Sequence, residues 1–396
     1  MKAFEALGAS IDEAWSRVGR APLDFPPIAA EALQRAELHR HVDVAQLADW
    51  LAEADAIPPQ NLASNFGEPP LNVFVGRGWA IQVLCWVEGR TTVHCHDFAG
   101  AFTVMTGSSI QRRYRFTPRG EGEPGLRLGA LERRDLTLLP TGAVEVIEPG
   151  AGLIHSVFHL DRPTLSVVVR SDALDLGEPQ FDYWSPSVAI DPEHIDPRVL
   201  RRTQTLAMML GAGLPGAAEF AVKLVARGGL QQAWRVLDIA LGAPAFAPHL
   251  PRLIETATAR HGEATHAMLA SLRRAHWEHG VEAHRRALSD DVQRFFLGAL
   301  LCAEHRVDVL ALVAARYPGV DADALIRRWI RELLPGDDPT TLAYMAVTEA
   351  LRAGDDDAAV AARLRDSHPW IERSLGDLTG VCAQVRSGTL RPLFVV

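Results

Sequence analysis

Apolar positions change their period along the chain, and the changes divide it into regions. From residue 27 to residue 56 they recur at helical spacing and indicate two short helices, which end before Pro58. Between Leu71 and Ser171 short runs rich in β-branched and aromatic residues alternate with Gly and Pro turns. Beyond Arg198 the spacing is helical almost throughout. We therefore expect an N-terminal helical segment over 1–65, a β domain over 66–176, a connector over 177–197 and an all-α domain over 198–396.

The β region has the strand density of an antiparallel sandwich or barrel, because no helical pattern separates its apolar runs. The expected strands cover residues 73–75, 79–87, 102–105, 136–139, 144–147, 153–160 and 165–169. The helical region has no fixed-period repeat, and it is long enough to bury a core of its own. Asp321 and Asp338 precede apolar helical runs and are predicted to begin helices.

Composition and charge are those of a globular protein that keeps its thiols reduced. The net charge of −9 disfavours a nucleic-acid-binding surface, and 48% of the 396 residues are hydrophobic. The four cysteines have no paired spacing, which favours free thiols over disulfides. The first residues lack the pattern of a signal peptide, and no apolar run is long enough to span a membrane. We expect a cytoplasmic protein with neither nucleic acid nor membrane as its partner.

Three histidines of the β region have the spacing of a metal site. His94 and His96 lie two residues apart in a strand, so their side chains share one face, while Cys95 points to the other. His155 follows the turn Pro149–Gly152 in a distant apolar strand, where a third ligand is expected. Neutral imidazole binds zinc, copper, nickel or iron, so these residues by themselves leave the metal open.

The same two stretches resemble the motifs of the cupin superfamily. Gly89 to His96 resembles its first motif, a glycine followed by a variable stretch and His-x-His, and is one residue shorter than usual. Pro149 to His155 resembles its Pro-x-Gly-x-x-His motif, with one extra residue. The resemblance covers residues 71–172, and it implies a double-stranded β-helix that holds one metal ion through His94, His96 and His155.

A three-histidine set without a carboxylate is similar to the centre of cysteine dioxygenase and its thiol-dioxygenase relatives. Most metal-binding cupins have a Glu where this chain has Gly100 or Ala101. The run Leu84-Cys85-Trp86 before the first motif adds to the similarity. The resemblance implies Fe(II) as the cofactor, with zinc, nickel, copper or manganese as alternatives, and oxygenation of a small substrate by O2.

Several residues of that family's site are replaced here. Ser166 is retained, whereas Val168 and Arg170 occupy the positions of its catalytic His and Tyr, and Ala101 that of its cross-linked Cys. Its carboxylate-binding Arg has no counterpart on the strand before Trp79. If Arg170 points inward, it would bind an anion in that role, or pair with a carboxylate such as Glu145; a surface position is the alternative. The resemblance implies Ser166 and Arg170 as catalytic residues, and contacts of the substrate with Leu84, Trp86, Val157, Val168 and Arg170.

Other histidines have ligand-like positions. His159 shares a strand face with His155, and it is predicted to support the site or the polar core, with a fourth ligand as the alternative. His39 and His41 lie two apart on a predicted helix, where side chains diverge. Glu263 and His266 have the spacing of a di-iron pair, but a second such pair is missing from the sequence, so a solvated face is expected.

Three functions fit these patterns. The first is an iron-dependent oxygenase that acts on a small substrate bearing a thiol or a carboxylate. The second is a cupin isomerase or hydrolase in which another divalent metal acts as a Lewis acid. The third is a non-catalytic sensor, whose barrel binds a metal or ligand while the helical domain contacts a partner protein. A homodimer formed through the helical domain is a further hypothesis.

Overall fold

The structure, a computed structural model, describes every residue of the chain except 63, 65, 121, 335, 355, 372–375 and 396. Its central feature is a β-barrel. The strands are β1 (Pro70–Gly76), β2 (Trp79–Trp86), β3 (Val93–His96), β4 (Gly100–Thr106), β5 (Ser109–Pro118), β6 (Leu126–Leu139), β7 (Val144–Ile147), β8 (Gly150–His159), β9 (Thr164–Ser171), β10 (Asp182–Trp184) and β11 (Val188–Ile190).

Two sheets build the barrel. The first has the order β1-β2-β9-β4-β7, and the second has the order β10-β11-β6-β5-β8-β3 and closes through the pairing of β10 with β3. From β2 to β5, and again from β7 to β10, successive strands fall in alternate sheets. This winding is the double-stranded β-helix of the cupin fold, and the predicted fold class is confirmed, with helices before and after the barrel.

Two strands lie in residues 177–197, where the sequence pattern predicts a connector. β10 and β11 are three residues each, too short to show alternation, and prolines stand at positions 179, 186 and 192 around them. The segment therefore belongs to the second sheet. The expected strands also omit β5, whose three arginines at positions 112, 113 and 115 mask its apolar alternation.

Helices α1 (Lys2–Arg17), α2 (Phe25–Ala36) and α3 (Val44–Glu53) precede the barrel. The sequence pattern indicates α2 and α3 but not α1. Apolar side chains of all three helices share a core with the outer face of the first sheet, where Trp79 is fully buried and its Nε1 donates to Asp12 Oδ1 at 2.9 Å. The helices thus cover a sheet face that would otherwise expose apolar residues to water.

The remaining helices follow the barrel. They are α4 (Pro197–Gly211), α5 (Ala217–Arg227), α6 (Leu230–Leu241), α7 (Leu250–His261), α8 (Glu263–Ala287), α9 (Asp291–Cys302), α10 (Arg306–Arg316), α11 (Ala322–Leu333), α12 (Pro339–Arg352), α13 (Asp357–Ser367) and α14 (Leu378–Ser387). None of the helices within the described part of the chain is long and apolar enough to cross a membrane.

The chain forms two compact units, residues 1–135 with 139–276 and residues 136–138 with 277–396. The division lies inside α8 and not at residue 198, because α4–α7 share a core with Leu126 and Val188 of the second sheet. In the second unit α9 is central, and Phe296 and Trp329 pack ring to ring at 5.4 Å. Asp321 and Asp338 accept backbone N–H bonds at the starts of α11 and α12, as predicted.

Candidate metal centre

Three histidines converge inside the barrel. His94 and His96 lie on β3, and His155 lies on β8 directly opposite His94. One nitrogen from each ring lies within 4.8 Å of those of the others, and the Nε2 atoms of His94 and His96 are 3.1 Å apart. Each residue is at most 5% exposed. The sequence-predicted trio is therefore brought together as a buried cluster of ring nitrogens.

Neighbouring groups hold two of these rings from outside the cluster. The Nδ1 atom of His94 lies 2.8 Å from the Thr92 carbonyl oxygen, which accepts its proton and leaves Nε2 with a free lone pair. The Nδ1 atom of His155 lies 3.0 Å from the side-chain amide of Gln111 on β5. The amide nitrogen is the Gln111 atom that lies nearest to Nδ1, and this contact restrains the orientation of the His155 ring.

Burial lowers the pKa of all three imidazoles below the ordinary value for histidine. The pKa values of His96 and His155 lie well below that value, because each ring also faces His94 and a cationic side chain, Arg170 for His96 and Arg113 for His155. The rings are therefore neutral near pH 7. Neutral imidazole is the form that binds a metal ion.

No carboxylate belongs to this cluster among the residues that the structure describes. A side chain at Gly100 would collide with the backbone carbonyl of Val169 on β9. Ala101 packs in the core between the first sheet and the N-terminal helices, on the opposite face from the histidines. The ring of Phe102 lies 6.0 Å from that of His155 on the inner side of β4. The inner side of β4 thus presents an aromatic ring, and no metal-binding group, to the histidines.

A cavity of about 340 Å³ opens beside the histidines. Its lining includes every residue predicted to contact substrate or to take part in catalysis: Leu84, Trp86, Val157, Ser166, Val168 and Arg170. The Ser166 hydroxyl accepts from Trp86 Nε1 at 3.2 Å. His159 also lines the cavity, but it lies outside the three-histidine cluster. Its ring stacks on Trp86 at 4.4 Å, and its Nδ1 lies 3.1 Å from Ser109 Oγ.

Arg170 faces the cavity and not the outer surface of the barrel. Its side chain is 32% exposed and lies over the ring of Phe98 at 4.0 Å. A guanidinium nitrogen is 4.0 Å from Asp97 Oδ1. Glu145, the carboxylate named as an alternative partner, forms an ion pair with Arg113 instead.

The other ligand-like histidine patterns lie apart from the cluster. His39 belongs to a short 3-10 turn at Leu38–Arg40 and packs near Gly142. Glu263 and His266 lie 3.8 Å apart at the start of α8 with exposed side chains, in agreement with a solvated face. The Cys95 thiol points away from the histidines, as predicted, and contacts the backbone of Phe181.

Several cavity residues are missing from the sequence-based predictions. Gln82 shares the inner face of β2 with Leu84 and Trp86, so strand alternation alone was enough to indicate it. Phe66 precedes the first predicted strand and Asp182 follows the last one, in segments where no periodic pattern marks them. Asp182 pairs with His94 across β10 and β3, and its Oδ1 accepts from Thr92 Oγ1 at 2.9 Å.

Phe66, Gln180, Asp182 and Pro192 form what we call the rim of the cavity, since each lines it while keeping part of its surface in solvent. Phe66 is 42% exposed, and its ring meets Trp86 edge-on at 5.3 Å and His94 at 5.8 Å. The rim therefore reaches directly over the first histidine of the cluster.

Fold and site together define a double-stranded β-helix protein with a buried three-histidine centre. No family model matches the sequence, and no curated protein matches it. Among solved structures, the chain is similar to hydroquinone 1,2-dioxygenase PnpCD in complex with Cd2+ and 4-hydroxybenzonitrile, at 18% identity over 26% of this chain and 63% of that one, with a TM-score of 0.21. The match thus spans less than two thirds of that dioxygenase chain.

Two further solved structures are similar over a larger share of their own length. The DMSP lyase DddQ from Ruegeria pomeroyi DSS-3 is 15% identical over 49% of this chain and 99% of that one, with a TM-score of 0.25. An uncharacterized conserved protein with a double-stranded beta-helix domain from Klebsiella pneumoniae is 16% identical over 35% of this chain and 91% of that one, with a TM-score of 0.19. Similarities of this size assign no activity to the chain.

Proposed function

We propose that the barrel is a non-heme iron oxygenase that acts on a small substrate bearing a thiol or a carboxylate. The observation that carries this proposal is the convergence of three buried, neutral imidazoles in a cluster that, among the described residues, includes no carboxylate. His94, His96 and His155 would hold the ion through their ring nitrogens. Two Nε2 atoms 3.1 Å apart suit a shared cation, because unprotonated imidazole nitrogens that lie this close can both bind one ion.

Ferrous iron held by these three neutral imidazoles would keep its full double charge and would supply a centre that attracts oxygen and an anionic donor. The chain's own residues prepare the place. The Thr92 carbonyl fixes the tautomer of His94, so that its Nε2 is unprotonated, and the Gln111 amide restrains the ring of His155. These contacts also orient the rings before any ligand arrives.

The residues that line the cavity would bind the substrate. Leu84, Val157 and Val168 exclude water from the space beside the histidines. Arg170 would bind the carboxylate of a substrate, because a planar guanidinium can donate two parallel hydrogen bonds to it. Ser166, held by Trp86, would present its hydroxyl to the bound molecule.

The test combines metal analysis with oxygen consumption. Protein purified without added metal is analysed for iron, zinc, nickel, copper and manganese, and iron-loaded protein is then assayed with small thiols and carboxylates. We expect about one iron per chain and oxygen uptake that depends on substrate and is lost in His155→Ala. Zinc or nickel at full occupancy without oxygen uptake would favour the isomerase or hydrolase alternative. Metal binding with neither activity would favour the sensor.

A further inference from the structure

The cavity contains one cation that is able to take an anion. Of the described residues that line it, Arg170 and Asp182 carry a formal charge at neutral pH, and the Asp182 carboxylate already accepts from Thr92. The nitrogen of Arg170 nearest Asp97 is 4.0 Å from its oxygen, which is beyond hydrogen-bonding distance. The guanidinium can therefore still make a bidentate pair with a ligand carboxylate.

An aromatic ring links this cation to the histidines. The Phe98 ring lies under the guanidinium of Arg170 at 4.0 Å, and the same ring packs against His96 at 4.8 Å. Phe98 therefore restricts where Arg170 can lie, which reduces the entropy lost when an anion binds. An anion at Arg170 would lie about one ring's width from the histidine cluster.

Aromatic side chains form a large part of the cavity wall, beside aliphatic ones such as Leu84, Val104 and Ile147. Trp86, Phe66 and Phe102 line it together with Phe98, and the stacked ring of His159 extends the wall formed by Trp86. Aromatic side chains favour edge-to-face and offset contacts with another ring over contacts with a saturated chain. The lining thus favours a ligand whose apolar part is itself an aromatic ring.

The strand geometry sets the size of that ligand. Arg170, Val168 and Ser166 occupy alternate positions on the inner face of β9, and each step of two residues advances about 6.6 Å. A carboxylate at Arg170 therefore places the next 6 or 7 Å of the ligand, roughly the length of one six-membered ring, beside Val168 and Phe102. The cavity volume of about 340 Å³ is near the lower end of the range for small-molecule sites.

We infer that the substrate class of this cavity is a small aromatic carboxylate, bound through its carboxylate at Arg170 and with its ring against Phe102 and Val168. The inference rests on the proposed function in taking this cavity as the substrate site. It goes further in excluding a saturated or neutral molecule as the preferred ligand.

The test is binding of three matched probes by calorimetry, with both metal-free and zinc-loaded protein. Phenylacetate carries the ring and the charge, cyclohexylacetate replaces the ring by a saturated one of similar size, and 2-phenylacetamide removes the charge. We expect phenylacetate to bind about threefold to tenfold more tightly than cyclohexylacetate, although the saturated ring is the more apolar. We expect phenylacetamide to bind at least tenfold more weakly than phenylacetate.

Two variants separate the contributions. Arg170→Met removes the cation and is expected to abolish the preference for the acid over the amide. Phe102→Leu keeps an apolar side chain but removes the ring, and it is expected to reduce the preference for phenylacetate over cyclohexylacetate. Arg77→Met changes an exposed arginine at the β1–β2 turn and is the matched control, in which both preferences stay as in the wild type.

Each contrary result has a definite meaning. Equal affinity for acid and amide would overturn Arg170 as the anion site, and equal affinity for the two acids would overturn the aromatic class. If none of the three probes binds, the inference is overturned. The proposed function is then still tested separately, by metal content and oxygen uptake. Tight phenylacetate binding by a protein that consumes no oxygen with any substrate would support the inference and contradict the oxygenase.

Discussion

At the scale of single residues, Gly100 determines the charge of the centre. Its backbone lies so close to the Val169 carbonyl that a Cβ atom would force β4 and β9 apart. A glutamate at this position would therefore disrupt the pairing of β4 with β9, which comprises six residue pairs, before it could reach the histidines. The close pairing of β4 with β9 therefore excludes a carboxylate side chain at position 100.

The first prediction concerns the number of ligands. His155→Ala is expected to lose nearly all bound metal, because two imidazoles remain and Gly100 and Ala101 offer no replacement donor. Metal content of the purified variant, measured by mass spectrometry, is the readout. His41→Ala, which removes an exposed histidine from the other His-x-His pair, should retain wild-type metal content. Full occupancy in His155→Ala would contradict the three-histidine site.

The second prediction concerns Asp182. Its carboxylate holds the hydroxyl of Thr92, and the carbonyl of the same Thr92 accepts from His94, so Asp182 positions that ligand indirectly. Asp182→Ala is expected to weaken metal binding about tenfold to a hundredfold. Asp182→Asn keeps an acceptor oxygen and should restore most of the affinity. Metal titration with a competing chelator measures both, and equal loss in the two variants would show that charge and not position matters.

The third prediction concerns covalent chemistry near the site. The sequence resemblance to thiol dioxygenases of the animal type places Ala101 and Arg170 where those enzymes join a cysteine to a tyrosine. Ala101 is fully buried on the far side of β4 from the histidines. We expect the intact mass to equal the sequence mass. A loss of two hydrogens that maps to peptides around the histidines would contradict this expectation.

At the scale of secondary structure elements, alternation made most of the site predictable. One strand face carries both His94 and His96, another carries His155 and His159, and a third carries Ser166, Val168 and Arg170, so the inner face of each strand followed from sequence. The residues of the rim could not be predicted in this way. β10 is three residues long, and Phe66 lies in no strand, so neither shows a period that sequence reasoning can detect.

The fourth prediction concerns the N-terminal helices as a cover for the first sheet. Phe25 at the start of α2 is fully buried between Trp15, at 4.5 Å, and Trp79, at 5.9 Å. Phe25→Ala is expected to lower the free energy of unfolding by about 3–5 kcal/mol. Leu23→Ala, at a side chain that is 75% exposed, should change it by less than about 0.5 kcal/mol. Denaturant titration measures the free energy of unfolding of both variants. Equal changes would show that the buried Phe25 ring contributes no more than an exposed side chain, and therefore that the helices do not stabilise the sheet.

At the scale of the whole molecule, the histidines and the described residues that line the cavity belong to one compact unit. That unit has its own apolar cores, one under the N-terminal helices and one shared by the second sheet and α4–α7. The sequence indicated a helical region after residue 198, but the spatial grouping of its helices depends on contacts far apart in the chain. The roles of the remaining helices, as a dimer contact or a docking surface for a partner protein, stay predictions.

The fifth prediction follows from this organisation. A chain that ends at Ala287, the last residue of α8, should still fold its barrel and bind one metal ion, because it contains every ligand and lining residue. Circular dichroism and metal stoichiometry are the measurements. A folded but metal-free product would show that residues after 287 contribute to the centre. The full-length chain is the reference for both measurements.

The rim has a consequence for how such a protein can change over generations. The histidines lie in interior strands, where a substitution disturbs packing on several sides, whereas Phe66 comes from a stretch before those strands. The residue that stands over the cavity entrance is therefore encoded apart from the three histidines. Mutations at Phe66 can alter which molecule enters without passing through variants that have lost a histidine of the cluster. A lineage built on this scaffold can thus vary its entrance while it keeps its centre.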